Sequence, residues 1–207
     1  DTKPKEVRYR ANGNQEVRNF FESGMDAFYP ANSLTKTIQL DEDNKQTITY
    51  TDKIGRTIMV DNEGSRTYYL YATIGLLIQV IQPTGSNMGI NIRSFTYTYD
   101  EEYHLATKKI PGTGTYQYFY DDADQLILTI DPKGFKLFTK YDILGRPIMT
   151  GSYTGTATPV VNAQIYESAD NSSLYYTTNQ AFPDDGNIQI YTTNYFDDYD
   201  LNNEQSD

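Results

Sequence analysis

The 207-residue chain contains no cysteine, no tryptophan and a single histidine. Without cysteine, disulfides, thiol nucleophiles and thiolate metal ligands are excluded. No apolar run approaches the roughly 20 residues that a membrane-spanning helix requires. The longest run, Ile74 to Ile81, predicts a buried strand. No initiator methionine, signal peptide or lipid-attachment cysteine occurs at Asp1, so we expect a piece of a longer chain.

Positive charge is also scarce, with 17 lysines and arginines against 28 acidic residues, a net charge of −11 and a pI of about 4.5. Such an acidic chain repels phosphate, and no basic stripe occurs along it. We therefore expect no nucleic-acid partner, and anionic membrane surfaces are disfavoured for the same reason.

Aromatic residues and turn signals are plentiful. Twenty tyrosines and nine phenylalanines favour strands, because flat rings pack well on a half-buried sheet. Asp-x-x-Gly, which is typical of type I turns, begins at Asp52, Asp61, Asp131 and Asp142. Degenerate copies begin at Asp100, Pro111 and Asp121. Turns at this spacing predict short, sequential antiparallel hairpins.

Alternation between the turns supports strands. Rows that would share a sheet face are Leu126, Leu128 and Ile130, with Ile127 and Thr129 opposite; Tyr116, Tyr118 and Tyr120; and Phe135, Leu137, Thr139 and Tyr141. The predicted fold class is all-β, a meander of hairpins forming a large curved or spiralling sheet.

Four regions are predicted along the chain. Residues 1–35 form a lead-in with one hairpin, suggested by Asn12-Gly13, or a helix over Val17 to Phe28. Residues 36–153 form the repeat meander. Residues 154–200 contain a loop and further strands of the same sheet, the last near Ile188 to Tyr195; the Gly- and Thr-rich stretch Gly151 to Pro159 predicts the loop. Residues 201–207 form a disordered tail.

The hairpins are also a sequence repeat. The full form is Tyr141-Asp142-x-x-Gly145-Arg146, and Thr51-Asp52-x-x-Gly55-Arg56 differs only in its first residue. Tyr99-Asp100 and Tyr120-Asp121 keep the first half, and Tyr71 with Gly75 is a worn copy. The starts at 51, 71, 99, 120 and 141 are 20, 28, 21 and 21 residues apart. Each repeat is therefore expected to be one hairpin, with a longer loop around Pro83 to Gly89.

These motifs resemble the YD-repeat, or Rhs, family, and especially its Bacteroidetes branch. The phrases that carry the resemblance to that branch include Tyr29-Pro30-Ala31, Lys108-Lys109-Ile110-Pro111-Gly112, Phe138-Thr139-Lys140-Tyr141-Asp142 and Tyr195-Phe196-Asp197-Asp198. The resemblance spans roughly residues 28–200. It implies a secreted or surface-displayed protein whose repeats form a spiralling sheet, in relatives a shell around a C-terminal toxin or a cell-contact structure. Neither the self-cleaving core region nor an effector is present here.

Residues with catalytic potential are few. His104 is the only histidine, and no nucleophile or orienting acid is suggested beside it. Acidic runs could supply oxygen ligands for calcium, and the alternate positions Asp198, Asp200 and Asn202 are the candidates. The glycine and distal glutamate of a calcium loop are missing, which favours solvated turns. Paired acids for glycoside hydrolysis are a distant alternative.

The sequence therefore favours a non-enzymatic scaffold that contacts neighbouring repeats of its own parent chain and self-associates through unpaired sheet edges. A carbohydrate- or partner-binding adhesin-like module is the alternative, because the row Tyr116, Tyr118 and Tyr120 could stack on sugars if exposed. Rings packed onto the sheet are the favoured interpretation of that row. No cofactor is expected, apart from the possible calcium.

Overall fold

The protein is described by a computed structural model that covers residues 6–21, 27–83, 94–159, 165–170 and 176–196. The strands, in chain order, are β1 Glu6–Ala11, β2 Thr35–Leu40, β3 Gln46–Thr51, β4 Thr57–Asn62, β5 Ser65–Tyr71, β6 Leu77–Ile81, β7 Ser94–Tyr99, β8 Leu105–Ile110, β9 Gly114–Tyr120, β10 Leu126–Ile130, β11 Lys136–Tyr141, β12 Pro147–Tyr153 and β13 Ile188–Thr193.

These strands form one 13-stranded sheet in which every strand is hydrogen-bonded to its sequence neighbours. Successive strands are antiparallel, as in β3 with β4, where Tyr50 lies opposite Met59. The predicted all-β class and sequential meander are confirmed. Within the described ranges, no helix has the length and apolar character needed to cross a membrane. The predicted tail, 201–207, lies outside the described residues, and the predicted domain limits remain predictions.

The chain divides into two compact units, the first of which comprises residues 1–97 and 109–112. Its core contains Val17, Leu34, Tyr50, Ile58 and Met59. The connection between β1 and β2 supplies Val17 and Leu34, so it packs on the sheet face and buries apolar surface that the strands alone would leave exposed.

The connection between β1 and β2 does not contain the two-residue hairpin predicted at Asn12-Gly13. Asn12 is buried instead, and its side-chain amide is satisfied by two hydrogen bonds. Its Nδ2 donates to Pro30 O at 2.8 Å, and its Oδ1 accepts from Leu34 N at 2.8 Å. The described part of the Val17 to Phe28 segment contains an antiparallel bridge between Arg18 and Phe28. Residues 22–26 of that segment lie outside the described residues.

The second unit comprises residues 98–108 and 113–207. Its core is formed by Ile127, Leu128, Phe138, Ile148, Met149, Tyr153, Tyr176 and Phe182. Tyr176 and Phe182 come from the connection between β12 and β13, so this connection covers one sheet face. In β10 both Ile127 and Leu128 are buried. The alternation expected for β10 is therefore incomplete, and its register shifts between Leu126 and Leu128.

Two further expectations were wrong in detail. The run Ile74 to Ile81 is not one buried strand, since residues 72–76 form a turn, Ile74 is 64% exposed, and the strand begins at Leu77. Asp61 does not open a turn of the same kind as Asp52. It lies within β4, and Glu63 and Gly64 form a tight hairpin with φ of 52° and 91°.

The expected loop from Gly151 begins later, because β12 continues through Gly151 and Ser152 to a buried Tyr153. The Phe138 ring packs against Gly151, which fixes the path of the strand there. In the predicted row, Phe135 and Leu137 are exposed, whereas Thr139 and Tyr141 are half-buried. Phe138 and Lys140, which alternate with them, are buried on the covered side. The final strand, Ile188–Thr193, forms where it was predicted.

Candidate functional site

The repeat motif forms a turn in which one aspartate organises five residues. Asp142 N donates to Arg146 O at 3.0 Å, and Gly145 N donates to Asp142 O at 2.9 Å. The carboxylate Oδ1 accepts from Leu144 N and Arg146 N, both at 2.9 Å. Its Oδ2 accepts from Arg146 Nε at 2.6 Å. The side chain thus satisfies backbone donors that the turn leaves unpaired.

The Asp52 turn has the same geometry. Oδ1 accepts from Ile54 N at 3.0 Å and from Arg56 N at 2.9 Å, and Oδ2 accepts from Arg56 Nε at 2.7 Å. Thr51 ends the preceding strand and pairs with Thr57. Gly55 has φ of 89°, a conformation that glycine adopts without steric cost. Burial is the largest influence on the pKa of Asp52 and raises it, but the ion pair with Arg56 and the backbone hydrogen bonds together hold this pKa below its usual range.

Degenerate copies keep this backbone. Asp100 Oδ1 accepts from Glu102 N and His104 N, and Asp121 Oδ1 accepts from Ala123 N and Gln125 N. The fourth position is not glycine in these copies, yet Tyr103 and Asp124 adopt φ of 69° and 62°. The aspartate side chain thus supports the turn where the fourth residue is not glycine. The Ala72 turn keeps the same backbone hydrogen bonds without an aspartate, because Ala72 N donates to Leu76 O and Gly75 N donates to Ala72 O, both at 2.8 Å.

The fifth residue of each turn decides whether the second carboxylate oxygen is paired. Arg56 and Arg146 reach it, and His104 Nδ1 lies 3.3 Å from Asp100 Oδ2. Asp121 has glutamine, Gln125, in this place, and its buried Oδ2 has no hydrogen-bond partner among the residues that the structure describes. A buried, unpaired carboxylate oxygen is unfavourable.

Replacing Gln125 by arginine is expected to raise the free energy of unfolding by about 1 kcal/mol, because the guanidinium would pair with Asp121 Oδ2. The reverse change, Arg146→Gln, should lower it by a similar amount, since it unpairs Asp142 Oδ2. Chemical denaturation of both variants measures the effect. Equal stability of Gln125→Arg and the parent chain would contradict the proposed role of this position.

The fifth turn residue contacts an aromatic ring further along the chain, and in two cases this ring belongs to the tyrosine of the next repeat motif. In the first unit, the Arg56 guanidinium lies 4.9 Å from the centre of the Tyr71 ring. In the second unit, His104 stacks on Tyr120 with ring centres 4.6 Å apart. Near the end of that unit, Arg146 lies 5.0 Å from the Phe196 ring. Cation–π and stacking contacts thus recur at one position of the repeat.

The tyrosine hydroxyls add a second contact of the same kind. Tyr141 Oη donates to Leu126 O at 3.0 Å, and Tyr120 Oη donates to Leu105 O at 3.4 Å. Both bonds span 15 residues and end on the first residue of a strand in the preceding repeat. We name these contacts the tyrosine ladder. It comprises the ring contacts Arg56–Tyr71, His104–Tyr120 and Arg146–Phe196 and the hydroxyl bonds of Tyr120 and Tyr141. Tyr71, Tyr120 and Tyr141 therefore each contact the repeat before their own.

Burial raises the pKa of the motif tyrosines. It is the main cause that raises the pKa of Tyr71, Tyr99, Tyr120 and Tyr141 above the usual value. The same cause raises the pKa of Tyr118. In the row Tyr116, Tyr118 and Tyr120, every ring is half-buried. This row is therefore packed on the sheet and does not form a fully open platform.

The metal candidates predicted from the sequence, Asp198, Asp200 and Asn202, lie outside the described residues. The structure brings together a group that sequence analysis did not single out as a site. Asp100, Glu102 and His104 each present one ligand atom, all within 4.8 Å of one another. His104 Nε2 also lies 3.3 Å from Asp124 Oδ1. These contacts pair the histidine with carboxylates of two turns, which accounts for its position.

Sequence analysis missed a buried ion pair. Lys140 Nζ lies 2.6 Å from Glu167 Oε1, and both side chains are 0% exposed. The ammonium also donates to the carbonyls of Thr178, Ala181 and Pro183, at 2.9, 2.7 and 2.8 Å. Burial lowers the pKa of Lys140, and the hydrogen bond and charge of Glu167 oppose that shift.

Glu167 completes the arrangement from the connection between β12 and β13. It accepts from Thr177 Oγ1 at 2.6 Å, from Gln180 N at 3.1 Å and from Ala181 N at 3.1 Å. Its own N–H donates to Tyr141 O at 2.9 Å. The pair therefore fastens this connection to the C-terminal end of β11. The alternating pattern of β11 gives no sign that Lys140 is buried, so the sequence did not predict this ion pair.

The fold and the turns together define a class of protein: an all-β chain built from two-stranded repeats joined by aspartate turns. No family model matches the sequence, and no curated protein matches it. Among solved structures, the chain is similar to "Crystal Structure of TcdB2-TccC3-Cdc42", with 18% identity, a TM-score of 0.47, and coverage of 60% of this chain and 7% of that one.

Two related structures give similar values. "Crystal Structure of TcdB2-TccC3 without hypervariable C-terminal region" matches with 17% identity, a TM-score of 0.49, and coverage of 61% of this chain and 8% of that one. "Crystal Structure of TcdB2-TccC3" matches with 19% identity, a TM-score of 0.47, and coverage of 67% and 8%. The chain thus spans less than a tenth of the length of these structures, and similarities of this size carry no information on activity.

Proposed function

We propose that the chain is a non-catalytic structural segment of an exported Rhs or YD-repeat protein, serving as part of a β-sheet shell or surface scaffold. The observation that carries the proposal is the tyrosine ladder. The residues that recur in the motif hold the turn and contact the preceding repeat, as Asp142 and Tyr141 illustrate. The Bacteroidetes branch and a secreted or cell-surface location belong to the same proposal and rest on the sequence resemblance.

A scaffold of this kind derives stability from its neighbours, because one hairpin buries little surface alone. The strand order begins at β1 and ends at β13, so each of these strands pairs on one side only among the described strands. All six residues of β1 are exposed. In the proposed parent protein, neighbouring repeats would pair with these two strands, and a second copy of the chain can do the same.

The isolated chain is therefore expected to self-associate, and sedimentation velocity over a range of concentrations tests this. Unpaired strands are templates for pairing, and lysine on an edge strand opposes it. The double variant Val7→Lys/Tyr9→Lys, which charges β1, should shift the chain toward monomer. The control Ile54→Lys/Ile74→Lys adds the same charge at two exposed turn tips and should associate as the parent does. A parent chain that stays monomeric at every concentration would count against the scaffold proposal.

A carbohydrate- or partner-binding adhesin-like role is the second candidate, and exposed aromatic rings favour it. Tyr9, Tyr103 and Tyr191 are all more than half exposed. A glycan array, run with and without calcium, tests this role and whether binding requires calcium. Binding that is lost on Tyr191→Ala would support the adhesin-like role, and no binding under either condition would leave the scaffold as the proposal. Glycoside hydrolysis remains a distant alternative without an observation that favours it.

A further inference from the structure

The first unit contains a half-open cavity of about 270 Å³ beside the tight hairpin between β4 and β5. Arg18 and Phe20 reach it from the connection between β1 and β2, and Arg66 and Tyr68 reach it from β5. Ile81, the last residue of β6, adds an apolar wall and is itself buried. Segments distant in the sequence thus converge on one small site.

The lining of this cavity is positively charged, whereas the chain as a whole is negative. The chain carries a net charge of −11, yet among the described residues the cavity lining includes two arginines and no acidic side chain. Arg66 is held in place because its Nε donates to Asp61 Oδ2 at 2.9 Å. This ion pair balances one of the two positive charges, and the exposed Arg18 supplies the other. A guanidinium presents several donors in a plane that matches a carboxylate.

The aromatic residues give the cavity a second kind of surface. The rings of Phe20 and Tyr68 meet edge to face, with centres 4.9 Å apart and planes at 80°. This contact fixes both rings, so the surface that they present is formed before any ligand arrives. Ile81 extends the apolar surface. Aromatic and aliphatic walls with a few polar groups are typical of sites for small molecules.

We propose that this cavity binds a single carboxylated sugar ring, such as a uronic acid. Arg18 pairs with the carboxylate, Arg66 accommodates a hydroxyl or the second carboxylate oxygen, and the apolar face of the ring lies on Tyr68. The cavity volume fits one ring of this size and is below the range typical of drug-sized ligands. The site goes beyond the scaffold role and does not depend on it.

Isothermal titration with D-glucuronate tests the site, with D-glucose and inorganic phosphate as comparison probes. The parent chain should bind glucuronate with one-to-one stoichiometry, and glucose and phosphate should each bind about tenfold more weakly or worse, because each lacks one of the two recognised features. Arg18→Gln should weaken glucuronate binding by about tenfold or more, since it removes a charge-assisted hydrogen bond.

The matched control is Arg10→Gln, which removes an exposed positive charge on β1 outside the cavity. It should leave the affinity for glucuronate unchanged. Circular dichroism of both variants establishes that they are folded. The proposal is overturned if glucuronate does not bind, if phosphate binds as tightly as glucuronate, or if Arg18→Gln binds glucuronate as the parent does.

Discussion

Replacing Lys140 by methionine is expected to lower the free energy of unfolding by about 3–5 kcal/mol, the usual cost of removing one partner of a buried ion pair. Methionine has a similar length, so the loss comes from the charge and the hydrogen bonds. Glu167 would stay buried without its cation, and three carbonyl groups would lose a donor. Urea denaturation followed by circular dichroism measures the change.

Lys133→Met provides the matched control, because Lys133 is exposed at a turn and should tolerate the change. A second variant distinguishes loss of the pair from poor packing. In Lys140→Met/Glu167→Gln the buried charge is gone, so the double variant should be more stable than the sum of the two single effects predicts. If Lys140→Met costs no more than Lys133→Met, the ion pair does not fasten the connection between β12 and β13.

Gly151→Ala is expected to destabilise the chain by about 3 kcal/mol, at the upper end of the range for overpacking a core. A Cβ at this position would lie 2.1 Å from the backbone oxygen of Gln189 and 2.7 Å from the nearest atom of the Phe138 ring. The first of these neighbours is backbone of β13, which cannot move aside without breaking its pairing with β12. Thermal unfolding should show the loss as a lower midpoint.

Gly13→Ala is the control for the general effect of replacing a glycine by alanine, without the close contacts found at Gly151. At Gly13 the nearest atom to a Cβ would be in the Glu16 side chain at 3.5 Å, which is an ordinary van der Waals distance. This variant should unfold close to the parent. A Gly151→Ala chain that is as stable as Gly13→Ala would show that β13 does not approach β12 as described.

Local turn chemistry made much of the fold predictable. An aspartate followed by backbone donors two and four residues later forms the same turn at Asp52, Asp100 and Asp142, so strand positions followed from the spacing of these residues. Where the pattern misled, a competing local preference decided the outcome. Glu63-Gly64 forms a two-residue hairpin, which placed Asp61 inside a strand.

Long-range contacts could not be predicted in the same way. The burial of Lys140 depends on Glu167 and on carbonyls up to 43 residues away, which no spacing within β11 encodes. The contact of Arg18 and Arg66 with one cavity likewise depends on how the connection between β1 and β2 crosses the sheet. The tyrosine ladder could not be predicted for another reason. The sequence motif shows that tyrosine recurs, but it does not show which residue each tyrosine contacts.

The most direct test of a modular scaffold is the deletion of one whole repeat. Deleting residues 100–120 removes β8, β9 and one aspartate turn, and joins Tyr99 to Asp121, which restores the Tyr-Asp motif. It also removes His104 and Tyr120 together, so no ladder contact between them is left half-formed. As a control, deleting residues 111–120 removes a single strand and reverses the direction in which the following strands run.

Circular dichroism and thermal unfolding of the two deletions decide the question. If two-stranded repeats are the units of construction, the chain without residues 100–120 keeps its β-sheet spectrum and unfolds cooperatively, whereas the chain without residues 111–120 does not. If both deletions unfold the protein to the same extent, the repeats are not interchangeable units, and the scaffold proposal is contradicted.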